Sequence, residues 1–284
     1  MIPDSETDVV FLADLLQARF PDLYARVSAT LVSYGVEVRV LTGVRDIWAR
    51  DFSPVQIGEG KLVQFRYEPD YLAEYPELRT GRDVAVQFSE LGECRHCEIN
   101  LDGGNVVSTK RRAILTEKIY RENPEWERRD LRAELRQILE VDELIVVPKE
   151  PYDPIGHTDA MVRFINESAV LVNDYAVIDP AFGQRFIKVL TRHGLKAEKL
   201  PYSHQLASKG EIPSAVGCYT NFLRTSTVIL VPEYGIFDDG IALAILRSVF
   251  PDVPVVPVEC SDLAKEGGVL NCITSTYRRT PKSL

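Results

Sequence analysis

Residues 8–41, DVVFLADLLQARFPDLYARVSATLVSYGVEVRVL, decide the fold. The apolar run from Asp8 to Leu12 reads as a strand. Pro21 then opens a helix, because its fixed φ suits a first helical turn, and Leu23, Val27 and Leu31 recur on one face through Ser33. Gly35 ends the helix, and Val36 to Leu41 returns as a second strand. The same alternation continues downstream. A charged helix from Pro124 to Leu139 feeds a strand from Glu143 to Val147, which Pro148 stops. Paired strands over Ala160 to Ile165 and Ala169 to Asn173 precede a helix from Pro180 to His193. A strand over Thr227 to Val231 leads through Gly235 to a helix from Gly240 to Phe250. Pro254 and Pro257 give the last short run, Val255 to Val258, the character of an edge strand, since proline has no amide to donate. Short Val, Ile and Leu runs between amphipathic stretches define an α/β protein rather than a bundle or a sandwich. No long Gly/Ser or Pro-rich linker divides residues 1–284, so one domain is expected, with a flexible basic tail at 278–284. Recurrence of strand pair, helix and strand at intervals of about fifty residues points to a pseudo-symmetric repeat.

A formal net charge of −9 disfavours nucleic acid as a partner and suits a site for a small cation. No apolar run reaches the roughly 18 to 20 residues that cross a bilayer, and the N-terminus lacks a basic-then-apolar leader, so no membrane partner and a cytoplasmic location are expected. Five cysteines leave at least one thiol unpaired within the chain, and all five would be reduced in the cytoplasm. Cys94-Arg95-His96-Cys97 has the spacing of half a zinc site, but no second Cys or His pair stands where it would complete a tetrahedron. No metal is expected. His96, His193 and His204 lack supporting neighbours and read as surface residues.

Five short motifs carry possible chemistry. Asp46-Ile47-Trp48-Ala49-Arg50-Asp51-Phe52-Ser53-Pro54 follows a strand and precedes a hairpin at Gly58 and Gly60; an aromatic face and a carboxylate both attract a guanidinium. Leu101-Asp102-Gly103-Gly104-Asn105 is either a simple turn or a place where glycines let the backbone approach another element and aim Asp102 into a pocket. Gly156-His157-Thr158-Asp159 begins a strand on this reading, so His157 and Asp159 share a face, and an imidazole beside a carboxylate can serve as an acid/base. Tyr219-Thr220-Asn221-Phe222 brings Asn221 into a site or caps a turn. Gly267-Gly268-Val269-Leu270-Asn271-Cys272 places a thiol beyond paired glycines, in what reads as the last strand. A strand cysteine is ordinarily a buried, inert thiol, and a neighbouring base such as His157 would make it a nucleophile.

Taken in order, Trp48-x-Arg50-Asp51-x-x-Pro54, Asp102-Gly103-Gly104-Asn105, Gly156-His157-x-Asp159, Tyr219-x-Asn221-Phe222 and Gly267-Gly268 leading to Cys272-Ile273-Thr274 resemble the agmatine deiminase and bacterial-type peptidylarginine deiminase family of the guanidine-modifying superfamily. The resemblance implies a five-fold pseudo-symmetric α/β propeller, repeated ββαβ units around a central active site, forming a single catalytic domain. It implies a cofactor-independent hydrolase that converts a small cationic guanidino compound to a ureido product and ammonia. Cys272 would attack the guanidinium carbon and His157 would act as acid and base. Asp102 would orient His157, and Asp51 and Asp159 would grip the guanidinium nitrogens. Trp48, Asn221 and Gly268 would line the substrate pocket.

The sequence departs from the family in four places: Asn271 where many members have His, Ser53 where Gly is common, Asp102 for Glu, and Tyr67-Glu68-Pro69-Asp70 for an Asn-x-Trp-Gly stretch. Glu68 and Asp70 are candidates to face the distal end of the substrate, with Arg66 acting against them. Two rival readings keep the same residues: an amidinotransferase, and a guanidinium-binding member without catalysis. A homodimer is one of the assemblies open to the chain.

Overall fold

A computed structural model describes residues 1–203 and 212–279; His204 and the tail beyond Arg279 lie outside the described residues. The described residues build five sheets of three strands each. Four are contiguous in sequence. They are β3 (Val55–Gly58), β4 (Gly60–Arg66) and β5 (Gly92–Asn100); β6 (Val107–Ser108), β7 (Arg112–Thr116) and β8 (Glu143–Val147); β9 (Val162–Asn166), β10 (Ala169–Asn173) and β11 (Lys196–Leu200); and β12 (Leu223–Arg224), β13 (Ile229–Glu233) and β14 (Val255–Glu259). In each, the central strand runs antiparallel to the first and parallel to the third. The fifth sheet obeys the same rule across the chain ends: β1 (Val9–Ala13) is parallel to β2 (Glu37–Leu41) and antiparallel to β15 (Thr274–Tyr277). One three-strand pairing pattern is therefore repeated among the described residues, with one repeat closed by the two ends.

The apolar runs fall on the central strands for a physical reason. All of β1 is buried, as is most of β7, β10 and β13, because these strands are covered on both faces. The third strands β2, β11 and β14 are edges and are partly or fully exposed along most of their length. Pro257 accordingly lies on edge strand β14. Each parallel crossover needs a connection that packs back on its sheet. Helix Pro21–Ser33 does this by burying Leu23, Val27 and Leu31. Arg128–Ile138, Pro180–Arg192 and Phe237–Val249 serve the next crossovers in the same way. Between β4 and β5 the connection is instead a 3-10 segment, Arg82–Leu91, which buries Val84, Ala85, Phe88 and Leu91.

Several boundaries differ from the sequence reading. His157 does not begin a strand: Thr158–Ala160 is a 3-10 turn and β9 starts only at Val162. Cys272 lies in the turn that precedes β15, not in the strand. In both places the backbone must present side chains to a common interior, which a flat strand does not do. His193 is not an isolated surface residue; its Nδ1 meets Glu143 Oε1 at 2.6 Å. The first two residues of the basic tail are fastened, Arg278 to Glu6 at 3.1 Å and Arg279 to Asp8 at 2.9 Å.

Phe88 links the first two sheets. Its ring centroid lies 4.5 Å from Phe11 of β1 and 5.0 Å from Tyr277 of β15. Phe88→Ala is expected to cost about 3–5 kcal/mol, read as a lower urea midpoint, because the cavity would open beneath the paired chain ends. A loss below about 1 kcal/mol would show that this closure does not depend on Phe88.

Candidate active site

Five turns converge on one buried cluster. Asp51 comes from the short helix Ala49–Phe52, and Asp102 from the residue before the 3-10 turn Gly103–Asn105. His157 and Asp159 flank the start of Thr158–Ala160, Asn221 ends the 3-10 turn Tyr219–Asn221, and Cys272 lies before β15. Asp51, Asp102, His157, Asp159, Asn221 and Asn271 are all buried, while Cys272 is half-buried.

His157 is held from two sides. Its Nε2 meets Asp102 Oδ2 at 2.7 Å, and its Nδ1 lies 3.4 Å from Asp51 Oδ1. Burial alone would make His157 a weaker base, but the Asp51 charge and the bond to Asp102 outweigh both burial and the Lys118 charge, raising its pKa to about 9. Burial opposes ionisation of Asp102 too, yet Lys118 and His157 hold it down to about 2. Asp51 is the reverse case: burial, reinforced by the charges of Asp102 and Asp159, outweighs His157 and Lys118 and raises it to about 7. Burial and the charges of Asp159 and Asp51 push the Cys272 thiol well above its ordinary range.

Cys272 Sγ lies 3.9 Å from Asp159 Oδ2, and the same oxygen accepts from Asn271 Nδ2 at 2.7 Å. The other oxygen, Asp159 Oδ1, is buried with no hydrogen-bond partner among the described residues. Asn221 Oδ1 accepts the backbone amides of Asn271 and Cys272 at 3.2 and 3.3 Å, which fixes the turn that carries the thiol. Arg50 ties this turn to the first motif. Its amide donates to the Cys272 carbonyl at 3.1 Å, and its guanidinium reaches Asn271 Oδ1 at 3.2 Å and Thr276 Oγ1 at 3.3 Å.

Two glycines permit this density. A Cβ on Gly104 would lie 2.5 Å from Asp51 Oδ1 and 2.7 Å from His157 Nδ1. One on Gly268 would lie 2.6 Å from the Trp48 ring and 3.1 Å from Cys272 Cβ. These positions need hydrogen because another residue occupies the space, which explains the Asp-Gly-Gly and Gly-Gly pairs better than turn conformation alone.

All eight residues singled out from the sequence, Trp48, Asp51, Asp102, His157, Asp159, Asn221, Gly268 and Cys272, belong to this cluster or to its direct supports. Two further residues escaped the sequence reading, and a third, Asn271, was read there only as a departure from the family. Lys118 has a wholly buried ammonium bonded to Asp102; its only trace is an i,i+4 spacing to Glu122, which is commonplace on exposed helices. Tyr71 stands edge-on to His157, with ring centroids 6.0 Å apart. Asn271 reads as a departure from a pattern, yet it bonds Asp159 and Arg50 together. Asp70 pairs with Arg121, and Glu68 is 3.9 Å from Arg66, so neither carboxylate stands without a cation. Among the described residues, no group of His, Cys, Asp and Glu is arranged to hold a metal ion, and no helix is long and apolar enough to cross a membrane.

The five-sheet α/β fold is similar to that of solved structures. The structure of DDAH from Pseudomonas aeruginosa in complex with citrulline matches with a TM-score of 0.60 at 11% identity, covering 96% of this chain and 100% of that one. The agmatine deiminase of C. jejuni matches more closely, with a TM-score of 0.80 at 17% identity, covering 98% of this chain and 95% of that one. The chain belongs to the Porphyromonas-type peptidyl-arginine deiminase family, whose pattern matches residues 15–277. Among curated relatives, the agmatine deiminase of Stutzerimonas stutzeri (strain A1501) is 31% identical over 70% of this chain. That match spans 64% of the relative's own length, somewhat under two thirds.

A thiol beside two carboxylates should discriminate alkylating reagents by charge. Cationic 2-chloroacetamidine is expected to label Cys272 at pH 8 at least roughly tenfold faster than neutral 2-chloroacetamide, after correction for their rates with free thiol. Peptide mass spectrometry reads the site, and Asp159→Asn should narrow the ratio. Equal corrected rates would mean that the carboxylates do not act on this thiol.

Proposed function

We propose that the protein hydrolyses a small cationic guanidino compound of the agmatine type to a ureido product and ammonia, through a covalent intermediate on Cys272. The observation that carries the reading is the placement of Cys272 Sγ 3.9 Å from Asp159 Oδ2, while the companion oxygen Asp159 Oδ1 is buried with no partner among the described residues. An unpaired buried carboxylate oxygen is costly, and a guanidinium N–H is the donor that best matches it. On this view the five sheets form a propeller around the cluster, and the described chain acts as one catalytic domain.

The residues account for each step. Asp51 and Asp159 hold the guanidinium and keep it positive, which fixes its carbon for attack. The cation offsets the two charges that hold the thiol protonated, so Cys272 ionises when substrate arrives and its proton leaves to solvent. The thiolate adds to the guanidinium carbon, and the π electrons move onto a nitrogen. Imidazolium His157 protonates the departing nitrogen; the C–N bond breaks, ammonia leaves and a thiouronium remains on sulfur. Neutral His157 then takes a proton from water as the oxygen attacks the same carbon. Collapse of that adduct breaks the C–S bond and expels the Cys272 thiolate, the hydroxyl proton passes to that sulfur, and the ureido product leaves with the thiol restored. Asp102 keeps His157 in orientation throughout.

The test is a panel of agmatine, arginine and other guanidino compounds, assayed for ureido product and ammonia. Ammonia is expected without any amine acceptor, and Cys272→Ala should lower turnover by at least about a thousandfold. Ammonia only in the presence of an amine would point to amidino transfer, and turnover surviving in Cys272→Ala would remove the nucleophile assignment.

The pH dependence has a definite sign. Asp51 must be ionised to hold a cation and is raised to about 7, so kcat/KM should rise as pH passes about 7. His157 must be protonated to expel ammonia and is raised to about 9, so the rise of kcat/KM, which release of the Cys272 proton also favours, should stop above about 9. A profile flat between about pH 6 and 10 would contradict this division of roles.

A further inference from the structure

The charge network extends past the groups that would touch a substrate. Lys118 opens the short helix Lys118–Glu122, and its ammonium donates to Asp102 Oδ2, the same oxygen that His157 Nε2 meets at 2.7 Å. The ammonium also reaches Glu122 Oε1 at 3.0 Å and lies 4.7 Å above the Tyr71 ring centroid. Glu122 Oε1 in turn accepts the Asp70 amide at 3.1 Å. The side chains of Lys118 and Asp102 are wholly shielded from solvent. A buried ammonium is costly to desolvate, and an apolar side chain of similar volume would often serve packing as well. What the charge does here is electrostatic: it acts on Asp102 directly and on His157 through it.

We infer that Lys118 is a positioning residue that keeps Asp102 ionised and, with Glu122 as its counterweight, sets how firmly His157 holds its proton. The groups that face His157 are Asp102 before the Gly103 turn, Asp51 from Ala49–Phe52, Tyr71 from the 3-10 turn Asp70–Leu72, and Lys118 beyond Asp102; Asp159 and Cys272 lie past Asp51. Two carboxylates favour the imidazolium, and Lys118 is the cation that opposes them. Without it, His157 would release its proton to departing ammonia less readily; with Lys118 uncompensated, His157 would be too seldom protonated to begin. Glu122, raised to about 7 by burial and the Asp102 charge despite Lys118, is largely ionised in the alkaline range where His157 titrates. It therefore offsets part of the Lys118 field.

The consequence for rate rests on the deimination reading, but the titration of His157 does not require turnover. The histidine ring signals of the full chain, with His157 assigned by its loss in His157→Gln, are followed by NMR against pH in three variants. Lys118→Met should raise the His157 midpoint by about one pH unit, and Glu122→Gln should lower it by about half a unit or more. Lys118→Arg, which keeps the charge, should stay within roughly 0.3 unit of the parent. The pH at which ammonia release stops rising should move in the same directions. Midpoints that do not move in Lys118→Met and Glu122→Gln, or that move the same way, overturn the inference. If Lys118→Met does not fold, Glu122→Gln decides alone, and an unmoved midpoint there overturns it. Opposite shifts without ammonia release from any guanidino compound would support the inference and sink the proposed reaction.

Discussion

Buried negative charge is the constraint on which the rest of this molecule depends. Asp51, Asp102, Asp159 and Glu122 are gathered in a shielded interior, and the cations facing them there are Lys118 and His157. Ionised carboxylates removed from water are costly unless paired. The protein meets this unevenly. Asp102 is held ionised by Lys118 and His157 through one oxygen, Asp51 is pushed to about 7, and among the described residues Asp102 and Asp159 each leave one oxygen without a hydrogen-bond partner. The interior is thus stable enough to form and still short of positive charge where Cys272 stands. On the proposed reading, a planar cation with several N–H donors would supply what is missing, and its arrival would change the ionisation of the thiol. Binding and activation would then be one electrostatic event.

The fold makes such a cluster possible because it brings turns rather than strands to the centre. Asp51, Asp102, His157, Asp159, Asn221 and Cys272 all sit in short helical turns or in residues that border them, one turn from each repeat apart from the shared His157 and Asp159. Support comes from behind. Arg50 holds Asn271 and the Cys272 carbonyl, and Thr276 links Arg50 toward Asp4, which pairs with buried Arg163. The pairing of β15 with β1 therefore does more than close a sheet. It fixes the turn that carries Cys272, immediately before β15, against the N-terminal segment.

Much of this was legible in the residues. Val- and Leu-rich runs such as those at Val9 and Ala169 marked central strands because such strands are covered on both faces. Edge strands such as Lys196–Leu200 were missed because solvent on one side removes the apolar signal. The Asp102-Gly103-Gly104 motif leaves a simple turn and close approach both open, and Gly104 shows close approach to Asp51 and His157; Gly268, read only as part of a paired-glycine turn, packs against the Trp48 ring. The face shared by His157 and Asp159 was inferred from strand geometry that the chain does not adopt; a 3-10 turn follows His157 instead. Lys118 could not be read because pairing in space with Asp102 leaves no mark on local spacing. Asn271 was visible only as an exception, whereas its two bonds make it the link between Arg50 and Asp159.

The central claim is that a guanidinium carbon becomes bonded to Cys272 sulfur, and it is tested most directly by quenching the working enzyme in acid and measuring the mass of its peptides. With agmatine in excess, the account predicts a fraction of the Cys272 peptide carrying the amidino-alkyl group, lost when substrate is consumed and absent from Cys272→Ser. Ureido product accumulating while the Cys272 peptide stays unmodified at every quench time, with turnover retained in Cys272→Ser, would contradict it.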